Sequence, residues 1–142
     1  METISRKEFL SLVGLGSAAI ALTYCFGGCQ PAANNIPTAP SNVDFTLDLT
    51  NPAYSALNSN GGYIYDQGII VARTINGAFV AVSQTCTHAG GTVVYNKNGN
   101  DFYCPVHGSA FSTNGSVING PAGAPLMKYN TSLLGNSLRV YS

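Results

Sequence analysis

The chain contains only two histidines, and each lies within three residues of a cysteine. The pairs are Cys86-x-His88 and Cys104-x-x-His107, with fifteen residues between His88 and Cys104. Each pair follows a short segment typical of a β-strand, so we expect both pairs in loops at strand ends. Thiolate and imidazole are soft or borderline metal ligands, and four of them in two short loops predict a metal site.

A disulfide and a structural zinc ion are the alternative roles for these cysteines. A disulfide between Cys86 and Cys104 would suit an exported domain, but it leaves both histidines unexplained. A structural zinc ion could use all four side chains, yet zinc sites usually group two cysteines as C-x2-4-C and two histidines as H-x3-5-H. The alternation of cysteine and histidine in this chain differs from that grouping.

Composition limits the size and the partners of the protein. The 142 residues have room for one domain, and the 45% of them that are hydrophobic can bury a modest core. Only 8% of the residues are charged and the formal net charge is zero. Long-range attraction to nucleic acid or to an acidic substrate is therefore not expected, and no nucleic-acid partner is predicted.

Residues 1–29 have the layout of an export signal, in which a basic region precedes an apolar one. Arg6 and Lys7 are followed by an uncharged segment, residues 9–29, and the run SRKEFL resembles a twin-arginine signal with Lys7 in place of the second arginine. Two small residues precede Cys29, which resembles the lipid-attachment site of bacterial lipoproteins. Lipidation at Cys29, an uncleaved membrane-spanning helix over 9–29 and release after cleavage all remain open. Each of them predicts an exported protein on the periplasmic side of a bacterial membrane.

The rest of the chain divides into a linker and a domain. Residues 30–42 contain three prolines and no charge, which is typical of an extended, semi-rigid linker. The folded domain is predicted over residues 43–142. No segment of it has a long helical period.

Short apolar and alternating segments predict an all-β fold, an antiparallel sandwich or barrel of Greek-key type. The Asn76–Gly77 dipeptide between two such segments predicts a two-residue hairpin with a type I′ turn. The predicted strands are 44–49, 63–65, 69–75, 78–82, 92–96, 101–104, 126–129 and 137–141.

The two loops resemble those of the Rieske iron–sulfur family, in which C-x-H with a following glycine is succeeded by C-P-x-H-G-S. The segment Phe79–Ser83 resembles the strand before the first loop, and Gly120-Pro121-Ala122 resembles the third, proline-containing loop, which covers the cluster. The resemblance implies an antiparallel β-sandwich with a small cluster-binding subdomain. It also implies one [2Fe–2S] cluster per chain, whose four ligands are two cysteines on one iron, Cys86 and Cys104, and two histidines on the other, His88 and His107.

The residues around these ligands indicate how such a cluster would be tuned. Ser109 is expected to donate a hydrogen bond that stabilises the reduced cluster. High-potential members carry a disulfide where this chain has Gly91 and Val106, and a tyrosine where it has Phe111. Their absence predicts a potential in the lower or middle part of the roughly −150 to +300 mV range of such centres. Gly90, Gly91 and Gly108 are expected to adopt positive φ and to let the backbone approach the sulfur atoms.

Two functions fit these expectations, and both transfer one electron without a substrate site in this chain. The protein is either a carrier or the redox subunit of a larger enzyme, such as a membrane-bound quinol- or arsenite-oxidising complex; whether it counts as an enzyme stays open. The catalytic subunit of a ring-hydroxylating oxygenase would need a second iron domain, for which this chain is too short. The expected partner docks at the tip formed by His88 and His107, and the N-terminus attaches to the membrane.

Overall fold

The computed structural model describes residues 36–142. These residues contain strands paired only in antiparallel fashion and one short 3₁₀ helix, Pro52–Asn58, which confirms the all-β class. The strands are β1 (Asp44–Asp48), β2 (Tyr63–Asp66), β3 (Ile69–Arg73), β4 (Phe79–Ser83), β5 (Val94–Asn96), β6 (Asp101–Tyr103), β7 (Ala110–Ser112), β8 (Val117–Asn119), β9 (Lys128–Leu134) and β10 (Ser137–Tyr141).

The strands form two sheets of unequal size. The larger sheet has the order β1-β10-β9-β4-β3-β2, and the smaller has the order β5-β6-β7-β8. In the sequence the whole smaller sheet lies between β4 and β9, two neighbours of the larger one. The smaller sheet is therefore an insertion into the larger, as the expected small subdomain requires.

Strand β3 lies between two hydrophobic cores. Its residues Ile69 to Ala72 are fully buried. Because side chains alternate along a strand, Ile69 and Val71 pack in a core with Leu138, whereas Ile70 and Ala72 pack in a second core with Phe102. This double burial explains the uninterrupted apolar run in the sequence, and each large aliphatic side chain contributes roughly 1.5–3 kcal/mol by leaving water. Strand β3 thus connects the larger sheet to the inserted subdomain.

The two hairpins of β3 use different turns. Both residues of Gln67–Gly68 have positive φ, 49° and 80°, as a type I′ turn requires. At Asn76–Gly77 only the glycine has positive φ, 85°, and the Thr74 carbonyl accepts from the Gly77 N–H at 2.9 Å. The Thr74 hydroxyl also accepts from the Ala78 N–H at 3.1 Å, which holds a longer loop. The structure confirms the hairpin at Asn76–Gly77, but the predicted type I′ turn is wrong.

Three elements carry no clear signal in the sequence, and one is longer than predicted. Strands β7 and β8 have three residues each, and their segments AFS and VIN show no alternation of apolar and polar residues. The 3₁₀ helix has Asn51 as its N-cap, whose side chain accepts from the Ala53 N–H at 3.0 Å. Strand β9, predicted over 126–129, runs from Lys128 to Leu134 because its residues 130–134 pair with β10.

The residues Ile36–Pro40, here called the strap, lie against the domain. The Tyr129 hydroxyl donates to the Pro40 carbonyl at 2.7 Å. A Cβ atom placed on Gly90 would lie 3.5 Å from Pro37 Cδ. The strap, although part of the predicted linker, therefore packs on the domain that it precedes.

The predictions for the N-terminal segment, including lipidation at Cys29 and a spanning helix over 9–29, lie outside the described residues. Within residues 36–142, no helix is long and apolar enough to cross a membrane.

Candidate metal centre

Two loops with the same backbone hydrogen bonds form the centre. In loop one, Cys86–Gly91, the Cys86 carbonyl accepts from the Gly90 N–H at 2.9 Å and the Cys86 N–H donates to the Gly91 carbonyl at 2.7 Å. Both loops place a glycine with positive φ at the fifth position, Gly90 at 77° and Gly108 at 83°. In loop two, Cys104–Ser109, the corresponding bonds join Gly108 N–H to Cys104 O at 2.9 Å and Cys104 N–H to Ser109 O at 2.8 Å.

The strands fix the bases of these loops. Loop one connects β4 to β5, and a bridge between Thr85 and Thr92 closes it. Loop two is the turn of the β6–β7 hairpin, where Tyr103 pairs with Ala110. Equivalent turns on fixed strand ends therefore hold the two cysteines in equivalent surroundings, although His88 and His107 stand at different spacings.

The two thiols are buried and free. Cys86 is 1% exposed and Cys104 is 2% exposed, so no disulfide joins them. Burial raises the pKa of the Cys104 thiol, while the backbone N–H groups of Val106 and His107 donate to its sulfur and lower it; the neighbouring Cys86 thiol raises it. These N–H groups are placed to stabilise a thiolate ligand.

The two imidazoles lie at the surface and face each other. His88 Nδ1 and His107 Nδ1 are 3.2 Å apart, and the ring planes are nearly perpendicular at 88°. Two ring nitrogens bound to one tetrahedral metal ion at about 2.1 Å lie about 3.4 Å apart. The observed separation therefore fits a pair of nitrogen ligands to one ion.

The donors are arranged as two pairs, one of buried thiols and one of exposed imidazoles. Among residues 36–142, no three His, Cys, Asp or Glu side chains form a group that could hold a single metal ion. A mononuclear zinc site needs at least three such ligands at one point. The geometry thus favours a centre with two metal ions, each bound by one pair, and the residues present fit a [2Fe–2S] cluster.

The third loop, residues 120–126, is hydrogen-bonded to both of the others. The Thr87 hydroxyl in loop one donates to the Ala124 carbonyl at 2.6 Å. The Ala122 N–H donates to Ser109 Oγ in loop two at 3.0 Å. The Asn119 amide, just before the third loop, donates to the Gly108 carbonyl at 3.3 Å. This loop therefore holds the two cysteine loops in register.

Gly91 meets one of the two expectations for it. A Cβ atom at this position would lie 2.6 Å from Val106 Cγ2 and 3.1 Å from Cys104 Sγ. Unlike Gly90, Gly91 does not have positive φ. Glycine is needed here while residue 106 is valine, because Val106 Cγ2 occupies the Cβ position and the Cys104 sulfur lies beside it. The expected close approach of the backbone to a sulfur atom is present, whereas the expected positive φ is wrong at this residue.

Ser109 and Phe111 are both fully buried. The Ser109 oxygen accepts from Ala122 N–H, which leaves its own proton free for another acceptor. Phe111 lies in β7 within the core that contains both cysteines. Sequence reasoning missed the hydrogen bonds of Thr87 and Asn119. The position of Thr87 between Cys86 and His88 was a signal, whereas Asn119 could be placed only with β8.

The comparison with known proteins agrees with this geometry. The family model described as the Rieske [2Fe-2S] domain matches residues 53–130. The chain belongs to the Rieske [2Fe–2S] family. As a Rieske protein it binds one [2Fe–2S] cluster and transfers electrons through it.

Relatives and a solved structure of this family are similar over most of the domain. The "Cytochrome b6-f complex iron-sulfur subunit" of Chlorobaculum thiosulfatiphilum is 37% identical over 141 residues, covering 94% of this chain and 73% of that protein. The protein of the same name from Prochlorococcus marinus is 51% identical over 137 residues, covering 84% and 75%. The crystal structure of the plasma membrane Rieske protein PetC3 from Synechocystis is 32% identical with a TM-score of 0.53, covering 63% of this chain and 95% of that one.

Proposed function

We propose that Cys86 and Cys104 bind one iron of the cluster and that His88 and His107 bind the other. The observation that carries this assignment is the pairing of two buried thiols with two exposed imidazoles on equivalent loops. The cluster, when bound, accepts and releases one electron at a time. The thiolates hold it inside the domain, and the imidazoles bring its outer iron to the surface.

The ligand set determines the range of the potential. Two neutral imidazoles in place of two thiolates remove two negative charges, which makes the added electron easier to accommodate. Such centres lie at roughly −150 to +300 mV, against about −400 mV for all-cysteine plant-type ferredoxins. With Phe111 as a residue that offers no hydroxyl, the potential of this protein belongs in the lower or middle part of that range.

Electrons leave and enter through the tip that carries His88 and His107. Both imidazoles are exposed, and Val106 beside them is 57% exposed. No charged residue occurs from Phe102 to Met127, so loop two and the third loop present an uncharged surface. A redox partner therefore docks here by shape and apolar contact.

The protein acts as the redox subunit of a membrane oxidoreductase complex. The alternative is that it acts as an independent electron carrier. The relatives that cover most of this chain are named as subunits of the cytochrome b6-f complex, which supports the role as a subunit. Solubilising the native membrane gently and separating complexes by size distinguishes the two. We expect the protein to migrate with larger partners; migration as a single chain would favour the carrier.

The chain is held at the periplasmic side of a bacterial membrane by its N-terminus. Lipidation predicts a mature N-terminus at Cys29 with acyl groups, and a retained helix over 9–29 predicts an intact Met1 in the membrane fraction. Mass spectrometry of the native protein separates these results. A cytoplasmic, soluble full-length chain would contradict both.

The assignment of the cluster ligands is tested on the purified protein. We expect two irons and two acid-labile sulfides per chain and the paramagnetic resonance spectrum of a reduced Rieske centre. A redox titration followed by this signal gives the midpoint potential. Stoichiometric zinc without visible absorption would refute the assignment.

A further inference from the structure

Asn119 joins two of the three loops at the metal centre. It is the last residue of β8, an edge strand of the smaller sheet, and its side chain is exposed. Its amide nitrogen lies 3.3 Å from the Gly108 carbonyl oxygen and 3.1 Å from the Gly120 carbonyl oxygen. Gly108 belongs to loop two and Gly120 to the third loop, so one side chain connects both.

A primary amide is suited to this contact. Its nitrogen carries two hydrogens and can donate to two acceptors at once, and both carbonyls here are acceptors. A hydroxyl offers one donor, and a carboxylate offers none and would repel both oxygens. Asparagine therefore supplies the two donors that this position uses.

The bond from Asn119 acts on Gly108, the residue of loop two whose backbone is least restricted. Gly108 has φ of 83° and lies between His107 and Ser109. Glycine has no side chain to limit its backbone, so its orientation depends on the bonds that it makes. Its N–H is held by the Cys104 carbonyl at 2.9 Å, and its carbonyl is held by Asn119. Together these bonds fix the peptide planes on both sides of Gly108.

The fixed peptide in turn orients Ser109. The plane that contains the Gly108 carbonyl also contains the Ser109 N–H, because the peptide unit is planar. Ser109 is fully buried and accepts from the Ala122 N–H of the third loop at 3.0 Å. Asn119 thus holds the end of loop two at the surface, through the Gly108 carbonyl, and Ala122 holds it in the core, through the Ser109 hydroxyl.

We propose that Asn119 is a positioning residue for electron transfer. It sets the orientation of the Gly108–Ser109 peptide, next to His107, and thereby tunes the potential of the cluster. The proposal rests on the proposed function, because it assumes that His107 is a ligand. Groups that hydrogen-bond the surroundings of a metal ligand tune the metal without touching it. When the amide is removed, the donors around the cluster are held less firmly and the reduced form loses stabilisation.

The test compares three single variants of the full-length protein with the wild type. Asn119→Leu keeps the size and neutrality of the side chain but removes both donors, whereas Asn119→Gln keeps the two donors. Ile118→Ala is the matched control, since Ile118 is the neighbouring residue of β8 and is 60% exposed. Iron content and circular dichroism establish that each variant is folded and loaded. The measurements are the midpoint potential and the g-values of the reduced protein.

We expect Asn119→Leu to lower the reduced-to-oxidised ratio at a fixed ambient potential about threefold, which corresponds to about 28 mV at 59 mV per tenfold. Its g-values should change as well. Asn119→Gln should lie closer to the wild type, and Ile118→Ala should match it. Wild-type potential and g-values in Asn119→Leu would overturn the proposal, as would an equal shift in Ile118→Ala.

Amide hydrogen exchange provides a second measurement that does not depend on the cluster or on full loading of a variant. Asn119→Leu should speed exchange at Ser109 and Ala122 at least threefold, and Ile118→Ala should not. Unchanged exchange at both amides would contradict the positioning role. If the wild type holds zinc and not iron while this exchange difference is present, the proposed function fails and the positioning of loop two stands.

Discussion

The two sheets of this protein differ in strand length and in the composition of the core beside them. The larger sheet has strands of four to seven residues, and its core is rich in fully buried aliphatic side chains such as Leu57 and Leu138. The smaller sheet has strands of three residues, with a bulge between Ala110 and Phe111. Its core combines aromatic rings with the two thiols. Both cores are apolar, and the smaller sheet differs in that its short strands also carry the cysteine loops and their side-chain hydrogen bonds.

This difference indicates that the two sheets have different roles. The longer strands of the larger sheet form a fixed base, on which the short strands carry the loops of the candidate metal centre. Strand β3 contributes fully buried residues to both cores. Substitutions in one sheet should therefore affect stability and substitutions in the other should affect the cluster, with β3 as the connection.

The largest expected effect is that of Cys104→Ser. If Cys104 is a ligand, as we propose, its loss should abolish the [2Fe–2S] cluster, so iron and acid-labile sulfide should fall to background. Hydrogen exchange should then increase in β5 to β8 and stay slow in β3 and β10. Cys29→Ser, outside the domain, is the control and should retain the cluster. Loss of protection in both sheets would show that they do not separate in this way.

A substitution in the core that contains Leu138, beside the larger sheet, should have the opposite effect. Leu138→Ala removes a fully buried side chain and should lower the free energy of unfolding by about 2–5 kcal/mol, while the visible spectrum of the folded protein is unchanged. Urea titration measures the difference. Leu134→Ala on the neighbouring strand is the matched control, because Leu134 is 83% exposed and its loss should cost less than about 0.5 kcal/mol.

A disulfide should be able to join the two cysteine loops. The Cβ position of Gly91 lies 3.3 Å from Val106 Cβ, close to the roughly 3.5–4.5 Å of disulfides. In Gly91→Cys with Val106→Cys we expect a bond that closes a loop of about 15 residues and stabilises the smaller sheet by up to about 3 kcal/mol. Thiol titration of the unfolded protein detects it, with Val106→Cys alone as the control. Two additional reactive thiols in the double variant would contradict the expectation.

The potential should respond to hydroxyl groups beside the ligands. Phe111→Tyr adds a donor in the core and should raise the midpoint potential, and Ser109→Ala removes one and should lower it. A hydrogen bond worth about 1 kcal/mol more in the reduced form corresponds to roughly 40 mV for one electron. Redox titration measures both shifts. If neither exceeds the titration error, hydroxyl donors do not tune this centre.

The smallest expected effect concerns the hydrogen bond between Tyr65 of the larger sheet and Val93, which precedes the first strand of the smaller sheet. The Tyr65 hydroxyl donates to the Val93 carbonyl at 2.8 Å, and Tyr65→Phe should cost about 1 kcal/mol. Burial, with a smaller contribution from Tyr63, raises the pKa of Tyr65 from 10.0 to about 12. Because the folded state favours the neutral phenol, its contribution is complete below about pH 10 and is lost as the pH rises towards about 12. Urea unfolding near pH 9 and pH 11 should therefore show a smaller difference between the two proteins at the higher pH, and an equal difference would contradict this role of the Tyr65 phenol.

Strand β3 and the candidate ligands could be predicted from the sequence, whereas β8 and the contacts of Asn119 could not. Strand β3 was evident because burial on both faces leaves an apolar run in the chain, and the four candidate ligands were evident because their residue types carry their chemistry. Strand β8 has only three residues, all exposed, so neither burial nor periodicity marks it. The contacts of Asn119 follow from the pairing of β8 with β7, and they could not be predicted before that pairing was known.

The strap joins two parts of the domain that are far apart in the sequence. Its Pro37 lies beside Gly90 of loop one, and its Pro40 carbonyl accepts from the Tyr129 hydroxyl near the start of β9. Loop one belongs to the connection between β4 and β5, whereas β9 belongs to the larger sheet. The strap therefore links loop one to the larger sheet by a route that does not pass through β4 or β5.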